Sequence, residues 1–418
     1  MASIARKNLF EDIPRFLVAQ AGIMFAVSLV TIQTGILDGF IRSTAVLIDN
    51  GEADLWIASE DMVQLELTVQ LPLLNLAAVQ QVEGVAKAEP LLLRESLWRG
   101  PSGRLNSVKL VGFDPEGDLF APWNVVQGRR GDLNQDYTVI ADKASLGSLD
   151  FKQLGDVGEI GSLPVRLVGI TEGSQSITSS AVLFTSLENA STYLTAGLSG
   201  KLACRFEPGG LVCSKDFQQA EEEDPSNNND EVAPPKTLES SDPISYILVR
   251  AKSGEDLQAL AERLEATIPD IQVYTQAEMS EITRAYWRDR TGIGFILGLG
   301  AVVGVIVGIV IVGQILYSSV SEHLKEFGTL KAMGASNWVI YGVILEQALW
   351  MAVLGYFPGI ALCYGLGTWT LASQGIAILI TPLKAAGVFA ITISMCSGAA
   401  IFAIQKVTRV DPAIVFKA

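Results

Sequence analysis

Four long apolar stretches constrain this 418-residue chain more than any other feature of its sequence. A helix that crosses the hydrocarbon core of a bilayer needs about 20 apolar residues, and each stretch meets that length. The sequence therefore predicts a membrane protein with one span near its amino terminus and three near its carboxyl terminus. The predicted spans are residues 16–40, 292–317, 338–367 and 385–405.

Basic residues beside the spans predict the orientation, because short cytoplasmic flanks are enriched in Lys and Arg. With four spans, the basic residues that fall on one side are Arg6, Lys7, Arg15, Lys325, Lys331, Lys406, Arg409 and Lys417. The predicted cytoplasmic segments are residues 1–15, 318–337 and 406–418, and the predicted external segments are 41–290 and 368–384. Arg284, Arg288 and Arg290 oppose this orientation, but a domain of that size translocates largely regardless of such charges.

The large external segment carries nearly all of the negative charge. Of the 45 acidic and 30 basic residues in the chain, 38 acidic and 21 basic residues lie between Ile41 and Arg290, a net charge of −17. This acidity argues against a nucleic-acid partner. A solvated external domain is the expected structure.

Residues for catalysis or metal binding are sparse. The single histidine, His323, cannot form a zinc site or a histidine-based triad alone. The nearest glycine–lysine pair, Gly200-Lys201, is followed by Leu202 and lacks the earlier glycine of a Walker A motif. We therefore expect a non-catalytic chain that holds no cofactor or metal of its own.

The external segment has an α+β pattern. Two strand–helix–strand units, one soon after the first span and one from Ile244 onward, could close one split βαβ sheet. Between them we predict a β-rich subdomain at about residues 120–205 and an acidic, mobile loop at about residues 207–242. Cys204 and Cys213 lie close together in an external segment, so a disulfide between them is an alternative to two free thiols.

The stretch SEHLKEFGTLKAMGAS, between the second and third spans, predicts a short amphipathic helix. Its apolar stripe and polar flank are typical of a helix that packs on one side. Gly334 is a natural left-handed stop, and Glu322 and Lys325 have the spacing of an ion pair. The helix could lie on the bilayer surface, but its mixed charges and narrow stripe favour docking into a cytosolic partner.

Two features of the predicted spans concern packing inside the membrane. Gly300, Gly304 and Gly308 recur every four residues, which lets a neighbouring helix approach closely. Glu346 lies inside the third span, where a carboxylate is costly. We therefore expect Glu346 to pair with another helix, and a transport role is the alternative.

The short amphipathic stretch also resembles the carboxyl-terminal signature of FtsX/MacB-type ABC permeases, roughly E-[IF]-G-x-L-[KR]-A-[ML]-G-A-S followed by a membrane Glu and Gly-x3-Gly. The matching residues are Glu326, Phe327, Gly328, Leu330, Lys331, Ala332, Met333, Gly334, Ala335, Ser336, Glu346, Gly355 and Gly359. The ending KVTRVDPAIVFKA is similar to the tail of this family. Residues Ala5–Ile57 further resemble its cyanobacterial DevC-like branch.

This resemblance implies a homodimer in the bacterial cytoplasmic (inner) membrane, working with a dimer of separate ATPase subunits that would bind ATP and Mg. It also implies a membrane-fusion adaptor, contact with membrane lipid, and mechanical transmission through a coupling helix. The implied coupling residues are Glu322, Leu324, Lys325, Glu326, Phe327, Gly328, Leu330, Lys331, Met333 and Gly334. Phe327 and Gly328 are expected at or beside the ATPase groove.

Two functions from different classes are compatible with these features. The first is a permease that exports a hydrophobic or amphiphilic cargo such as a lipid or glycolipid, and the β-rich external subdomain favours it. The second is an FtsX-like transmembrane signalling scaffold that controls a cell-wall hydrolase. A membrane-anchored receptor fits less well, because it requires neither a terminal three-span bundle nor a helix for an ATPase. If transport is coupled through this helix, Phe327→Asp should uncouple it from ATP hydrolysis.

Overall fold

The structure is a computed structural model that describes residues 13–175, 180–195, 202–207, 210–215, 233–290, 292–374 and 378–408. Its helices are α1 (Ile13–Thr44), α2 (Val46–Asp49), α3 (Leu74–Gln80), α4 (Leu146–Leu149), α5 (Leu187–Thr195), α6 (Leu257–Thr267), α7 (Gln276–Arg290), α8 (Ile293–Glu322), α9 (Leu324–Ala332), α10 (Asn337–Gln374) and α11 (Pro382–Thr408). Its strands are β1 (Leu55–Ser59), β2 (Leu71–Pro72), β3 (Val85–Arg99), β4 (Leu105–Phe113), β5 (Val125–Gln127), β6 (Thr138–Asp142), β7 (Val157–Ile160), β8 (Leu163–Thr171), β9 (Ala181–Ser186), β10 (Leu202–Glu207), β11 (Gly210–Lys215), β12 (Pro243–Ile244), β13 (Tyr246–Ala251) and β14 (Ile271–Thr275).

The chain divides into two compact units. The first, called the helical unit, consists of Met1–Phe40 and Arg288–Ala418, and the second, called the sheet unit, consists of Ile41–Trp287. Most of the predicted acidic loop, residues 216–232, lies outside the described residues, as do residues 1–12 and 409–418 of the predicted cytoplasmic segments.

Four strands of the sheet unit form the split βαβ arrangement that the sequence predicts. Their order is β14–β1–β13–β3, and each neighbouring pair is antiparallel. Successive residues of a strand point to opposite faces, so Leu55 and Ile57 pack with Leu260 of α6, whereas Trp56 faces a second core. The prediction of a split βαβ sheet is therefore confirmed.

The inserted strands close into a barrel. β3 runs for 15 residues, and it pairs with β13 through its first half and with β4 through its second half. The ring β3–β4–β9–β6–β8–β7 closes because β7 pairs with both β8 and β3. Val108, Leu110 and Leu167 fill its interior beside Trp98. The predicted β-rich subdomain begins at about residue 120, whereas the barrel includes β4 from Leu105, because one long strand belongs to both sheets.

Buried charged groups of the sheet unit have partners within the unit. Lys109 of β4 is 2% exposed and forms an ion pair with Glu66; burial lowers the pKa of Lys109 below its usual range. Glu89 accepts hydrogen bonds from the backbone N–H groups of Asp118 at 2.7 Å and Leu119 at 2.9 Å. Burying a charge is costly unless it is paired and hydrogen-bonded, so these contacts stabilise the packing around the barrel.

Among the residues described, four helices of the chain are long and apolar enough to cross a membrane: α1, α8, α10 and α11. Each extends beyond the span predicted from the sequence. Hydropathy reports the part of a helix that lies in the hydrocarbon core, whereas the backbone hydrogen bonds continue into the polar flanks. The prediction of one span followed by three is confirmed.

The core of the helical unit depends on close contact between α1 and α10. A Cβ atom added at Gly355 would lie 2.6 Å from Ile23, and one at Gly359 would lie 3.0 Å from Val27. The Oγ of Ser28 donates to the carbonyl of Gly359 at 3.4 Å. Small residues let helix backbones approach in a membrane, where no hydrophobic force drives helices together.

Candidate functional site at the helix between the second and third spans

The backbone isolates α9 as a separate short helix between two spans. α8 ends at Glu322 and α10 begins at Asn337. Gly334 has a φ of 90°, and its N–H donates to Lys331 O at 3.0 Å while Ala335 N–H donates to Leu330 O at 3.0 Å. This double hydrogen bond is the Schellman stop, which needs a left-handed residue. The predicted role of Gly334 as a helix stop is confirmed.

One side of α9 is buried against the helical unit. Phe327 is 3% exposed and belongs to the same core cluster as Val320, Ile340 and Ile344, with Leu330 packed against it. This differs from the sequence-based expectation, which set Phe327 at or beside an ATPase groove. The reason is that the apolar stripe identifies a packing side but not the surface it packs on. The Phe327 side chain anchors α9 to the spans.

The other side of α9 is open. Glu326 and Thr329 are exposed, and Met333 is 72% exposed. Trp338, at the start of α10, is 81% exposed and stacks edge-to-face on Tyr341. The side chains of Leu324 and Lys325 lie outside the described part of the chain. An anchored helix with an acidic and apolar open side can receive another molecule while moving together with the spans.

Polar side-chain contacts occur at the ends of α8 and α9. Arg15 of α1 pairs with Glu322, the last residue of α8. Nδ1 of His323 lies 3.2 Å from Oε1 of Glu326. The ion pair that the sequence predicts between Glu322 and Lys325 involves a side chain outside the described residues, so it stays a prediction. The Arg15–Glu322 pair joins the end of α8 to α1. An exposed ion pair of this kind contributes at most about 1 kcal/mol.

The predicted glycine row of the second span faces the first span. A Cβ added at Gly300 would lie 2.7 Å from Gln33 of α1, and one at Gly304 would lie 3.0 Å from Leu29. One added at Gly308 would collide with Met395 of α11 and lie 3.0 Å from Ala26. The three glycines therefore allow close helix packing.

Glu346 lies on a different face of α10 from the core residues Ile344, Ala348 and Met351. It is half-buried, and within the described part of the chain its carboxyl group has no hydrogen-bond or ion-pair partner. The sequence-based expectation was that it pairs with another helix. The described residues supply no such partner, so the pairing of Glu346 stays a prediction.

The described residues contain no cluster of His, Cys, Asp and Glu that could hold a metal ion. A cleft of about 680 Å³ opens in the sheet unit. It has an apolar floor that includes Leu73 and Leu187, and an acidic rim that includes Asp114, Asp136 and Glu188. Like charges repel, so this cleft suits a cationic or neutral molecule better than an anionic one.

Two protein-family models match the chain. The MacB-like periplasmic core domain matches residues 16–267, which is more than half of the chain, and the FtsX-like permease C-terminal model matches residues 298–412. The chain belongs to the MacB/FtsX family of ABC transporter permeases. Members of this family carry a large extracytoplasmic domain between the first and second spans, so the sheet unit lies outside the inner membrane and α9 lies on the cytoplasmic side.

Curated relatives are similar over part of their length. The pyoverdine export ATP-binding/permease protein PvdT of Pseudomonas savastanoi pv. phaseolicola is 25% identical over 41% of this chain and 27% of its own. The macrolide export ATP-binding/permease protein MacB of Burkholderia cenocepacia is 30% identical over 30% of this chain and 19% of its own. The matches thus span about a quarter or less of these relatives. The periplasmic region of MacB from Actinobacillus actinomycetemcomitans aligns with 59% of this chain and 97% of its own, at 12% identity and a TM-score of 0.33.

Cys204 and Cys213 of this MacB/FtsX permease lie opposite one another in the hairpin β10–β11. Directly opposed residues of antiparallel strands have Cα atoms about 4.5–5.5 Å apart, which is within the range that a disulfide requires. The backbone register is therefore compatible with the bridge. The bond itself stays a prediction, as does the assignment to the DevC-like branch.

Sequence reasoning missed several contacts of the helical unit. Arg15 of α1 and Glu322 of α8 form an ion pair although they are 307 positions apart in the chain. Near the other end of α1, Asp38 pairs with Lys384, which lies near the start of α11. Lys384 also donates to Thr34 O at 2.9 Å. The charges at the ends of the predicted spans were visible, but the choice of partner depends on which helices are neighbours.

Proposed function

We propose that this chain is the transmembrane subunit of a homodimeric ABC exporter, in which α9 couples a separate ATPase dimer to the extracytoplasmic domain. The observation that carries the proposal is the division of α9 into a buried side, anchored by Phe327, and an open side with Met333 and Glu326. A helix held in this way moves as one body with the spans on both sides of it.

The ATPase partner would bind ATP and Mg, and this chain would contribute no catalytic residue. The names of two curated relatives support an ATP-binding partner, because both describe a protein that combines ATP binding with permease function. α9 lies between two spans on the cytoplasmic side, where its open side offers such a partner a surface for binding. The proposed docking residues are Glu326, Thr329 and Met333, whereas Phe327 and Leu330 transmit the force.

The cargo we propose is hydrophobic or amphiphilic, such as a lipid or glycolipid, handed to a membrane-fusion adaptor outside the membrane. The glycine-lined contacts of α8 with α1 support mechanical transmission, because close packing at Gly304 and Gly308 leaves no room there for a polar pathway. Movement of the spans would then change the conformation of the extracytoplasmic domain, and that domain would act on the cargo.

The test is binding and stimulation of the ABC ATPase by this permease in lipid nanodiscs. Met333→Asp places a charge on the open side and should weaken ATPase binding about tenfold, as loss of a buried apolar anchor does at interfaces. Phe327→Leu, a conservative change on the buried side, is the matched control and should bind within about twofold of the natural chain. Unchanged binding of the Met333→Asp variant would remove the open side of α9 from the coupling mechanism.

A further inference from the structure

One wall of the cleft in the sheet unit joins α5 to the loop before β6. Asn189 of α5 accepts a hydrogen bond from the N–H of Tyr137 at 3.0 Å and donates one to the carbonyl of Gln135 at 3.2 Å. Asp136 lies between those two residues, Glu188 directly precedes Asn189, and both acidic residues line the cleft. Asn189 is 1% exposed. A buried amide therefore holds the two acidic residues at the same wall.

The segment Ala233–Leu238 forms another wall, and hydrogen bonds hold it in place as well. The hydroxyl of Tyr137 donates to the carbonyl of Ala233 at 2.5 Å. The N–H of Lys236 donates to Oγ1 of Thr192 on α5 at 2.9 Å. Two prolines of this segment line the cleft, and proline restricts the backbone. Both walls are thus built by the chain itself, as is usual for sites that bind small molecules.

The charged side chains that line the cleft are all acidic. Among the described residues, the lining contains no Lys, Arg or His, and its carboxylates are those of Asp114, Glu116, Asp136 and Glu188. The ammonium group of Lys236 lies 3.3 Å from Glu239 and 3.6 Å from Asp242, so its charge is balanced outside the cleft. No acidic cluster in the described part of the chain could hold a metal ion. The charge of the cleft is therefore complementary to an organic cation.

The floor of the cleft is apolar and its size suits a small molecule. Leu73 and Leu76 contribute to it beside Leu187, which is 4% exposed, and Leu238 packs in the same apolar cluster as Leu187. The volume of about 680 Å³ lies within the range of about 300–1,000 Å³ that is typical of ligand sites. An apolar floor below an acidic rim matches a molecule with an apolar body and a cationic end.

We propose that this cleft binds a cationic amphiphile, an organic molecule that carries a protonated amine on an apolar body. The amine lies at the wall of Asp136 and Glu188, and the apolar body covers the leucines of the floor. This proposal goes beyond the proposed function, because it concerns what the sheet unit binds and not which cargo the exporter moves.

The test measures binding of dansylcadaverine, a fluorescent amphiphilic amine, to the full chain in phosphatidylcholine nanodiscs without ATPase. Empty nanodiscs give the background from lipid. N-acetyl-dansylcadaverine has the same apolar body without the charge and should bind about tenfold more weakly, because it loses the attraction of the rim. The double variant Asp136→Asn/Glu188→Gln should weaken binding of dansylcadaverine about five- to tenfold and should bind the acetylated probe as the natural chain does.

Glu262→Gln/Asp270→Asn is the matched control, since it removes two exposed carboxylates that do not line the cleft. It should bind dansylcadaverine within about twofold of the natural chain. Equal binding of the charged and acetylated probes, or no loss in the Asp136→Asn/Glu188→Gln variant, would overturn the proposed site. Displacement of the probe by trilysine at the same concentration would show that charge alone is recognised and would overturn the amphiphilic class. Because no ATPase is present, each result is independent of the coupling role of α9.

Discussion

The sheet unit and the helical unit place their charged groups differently. In the sheet unit, Lys109 and Glu89 are buried and find their partners within the unit. In the helical unit, the ion pairs of Arg15 with Glu322 and of Lys384 with Asp38 lie near the helix ends and are partly exposed. Buried side-chain atoms without a partner among the described residues occur in both units, so the difference concerns where charge is buried.

Under the proposed function, this difference fits a division of labour between the two units. The external domain would receive force, and its paired buried charges and closed barrel would help it to hold its shape. The helical unit would assemble with a second copy and an ATPase. Four substitutions test whether the two units differ in this way.

The largest expected effect is at the anchor of α9. Phe327→Ala should destabilise the helical unit by about 4 kcal/mol, because it removes a buried aromatic side chain and leaves a cavity. Met333→Ala, on the open side of the same helix, is the control and should cost less than about 0.5 kcal/mol. Unfolding of each variant in detergent, followed by tryptophan fluorescence, gives the comparison. Equal losses of stability for the two variants would contradict the assignment of Phe327 to the buried side of α9 and Met333 to its open side.

Removing Glu66 tests the self-sufficiency of the sheet unit. Glu66→Ala leaves Lys109 buried without its carboxylate and should destabilise this unit by about 3 kcal/mol. Burial lowers the pKa of Lys109 in the folded chain, so folding is penalised while the amine is charged and the penalty falls as pH rises above the folded pKa. The deficit of the variant should therefore shrink between about pH 7 and pH 10.

Glu95→Ala is the control for this substitution. Glu95 is exposed and stands opposite Lys109 in the β3–β4 register, so its loss should change stability by less than about 0.5 kcal/mol. Thermal unfolding across the pH range distinguishes the two. A Glu66→Ala deficit that does not depend on pH would show that the charge of Lys109 is not its cause.

A smaller effect is expected where helices touch. Gly308→Val would force Met395 and Ala26 apart and should destabilise the helical unit by about 2 kcal/mol, as overpacking does. Gly298, on the same helix, has open space around its added Cβ, so Gly298→Val should cost far less. Resistance to unfolding in mild detergent measures both. If Gly308→Val and Gly298→Val lowered the stability of the helical unit equally, close packing at Gly308 would not explain the loss.

The smallest effect concerns the ion pair of Arg15 with Glu322. Both side chains are nearly half exposed, so Arg15→Ala should lower the stability of the helical unit by about 0.5 kcal/mol at low salt and less at high salt. Arg15→Lys, which keeps the charge, is the control. A loss that exceeds 2 kcal/mol and ignores salt would mean that Arg15 has a packing role instead.

The sequence predicts those features that depend on local patterns. The four spans follow from apolar length, the stop at Gly334 follows from the conformational freedom of glycine, and the split sheet follows from two similar units. The barrel was not predicted, because its closure depends on the pairing of β7 with β3, whose residues Trp98 and Ile160 are far apart in the chain. The inward direction of Phe327 was missed for a similar reason. The apolar stripe of α9 shows which side of the helix packs, but it does not show which surface that side packs against.

The most direct test of the coupling account is photo-crosslinking in native membranes from a benzophenone amino acid at position 333 or at position 327. The account predicts that position 333 captures an ATP-binding partner, whereas position 327 captures segments of this chain. Capture of the ATPase from position 327 but not from position 333, or from neither position, would contradict the claim that the open side of α9 receives the force.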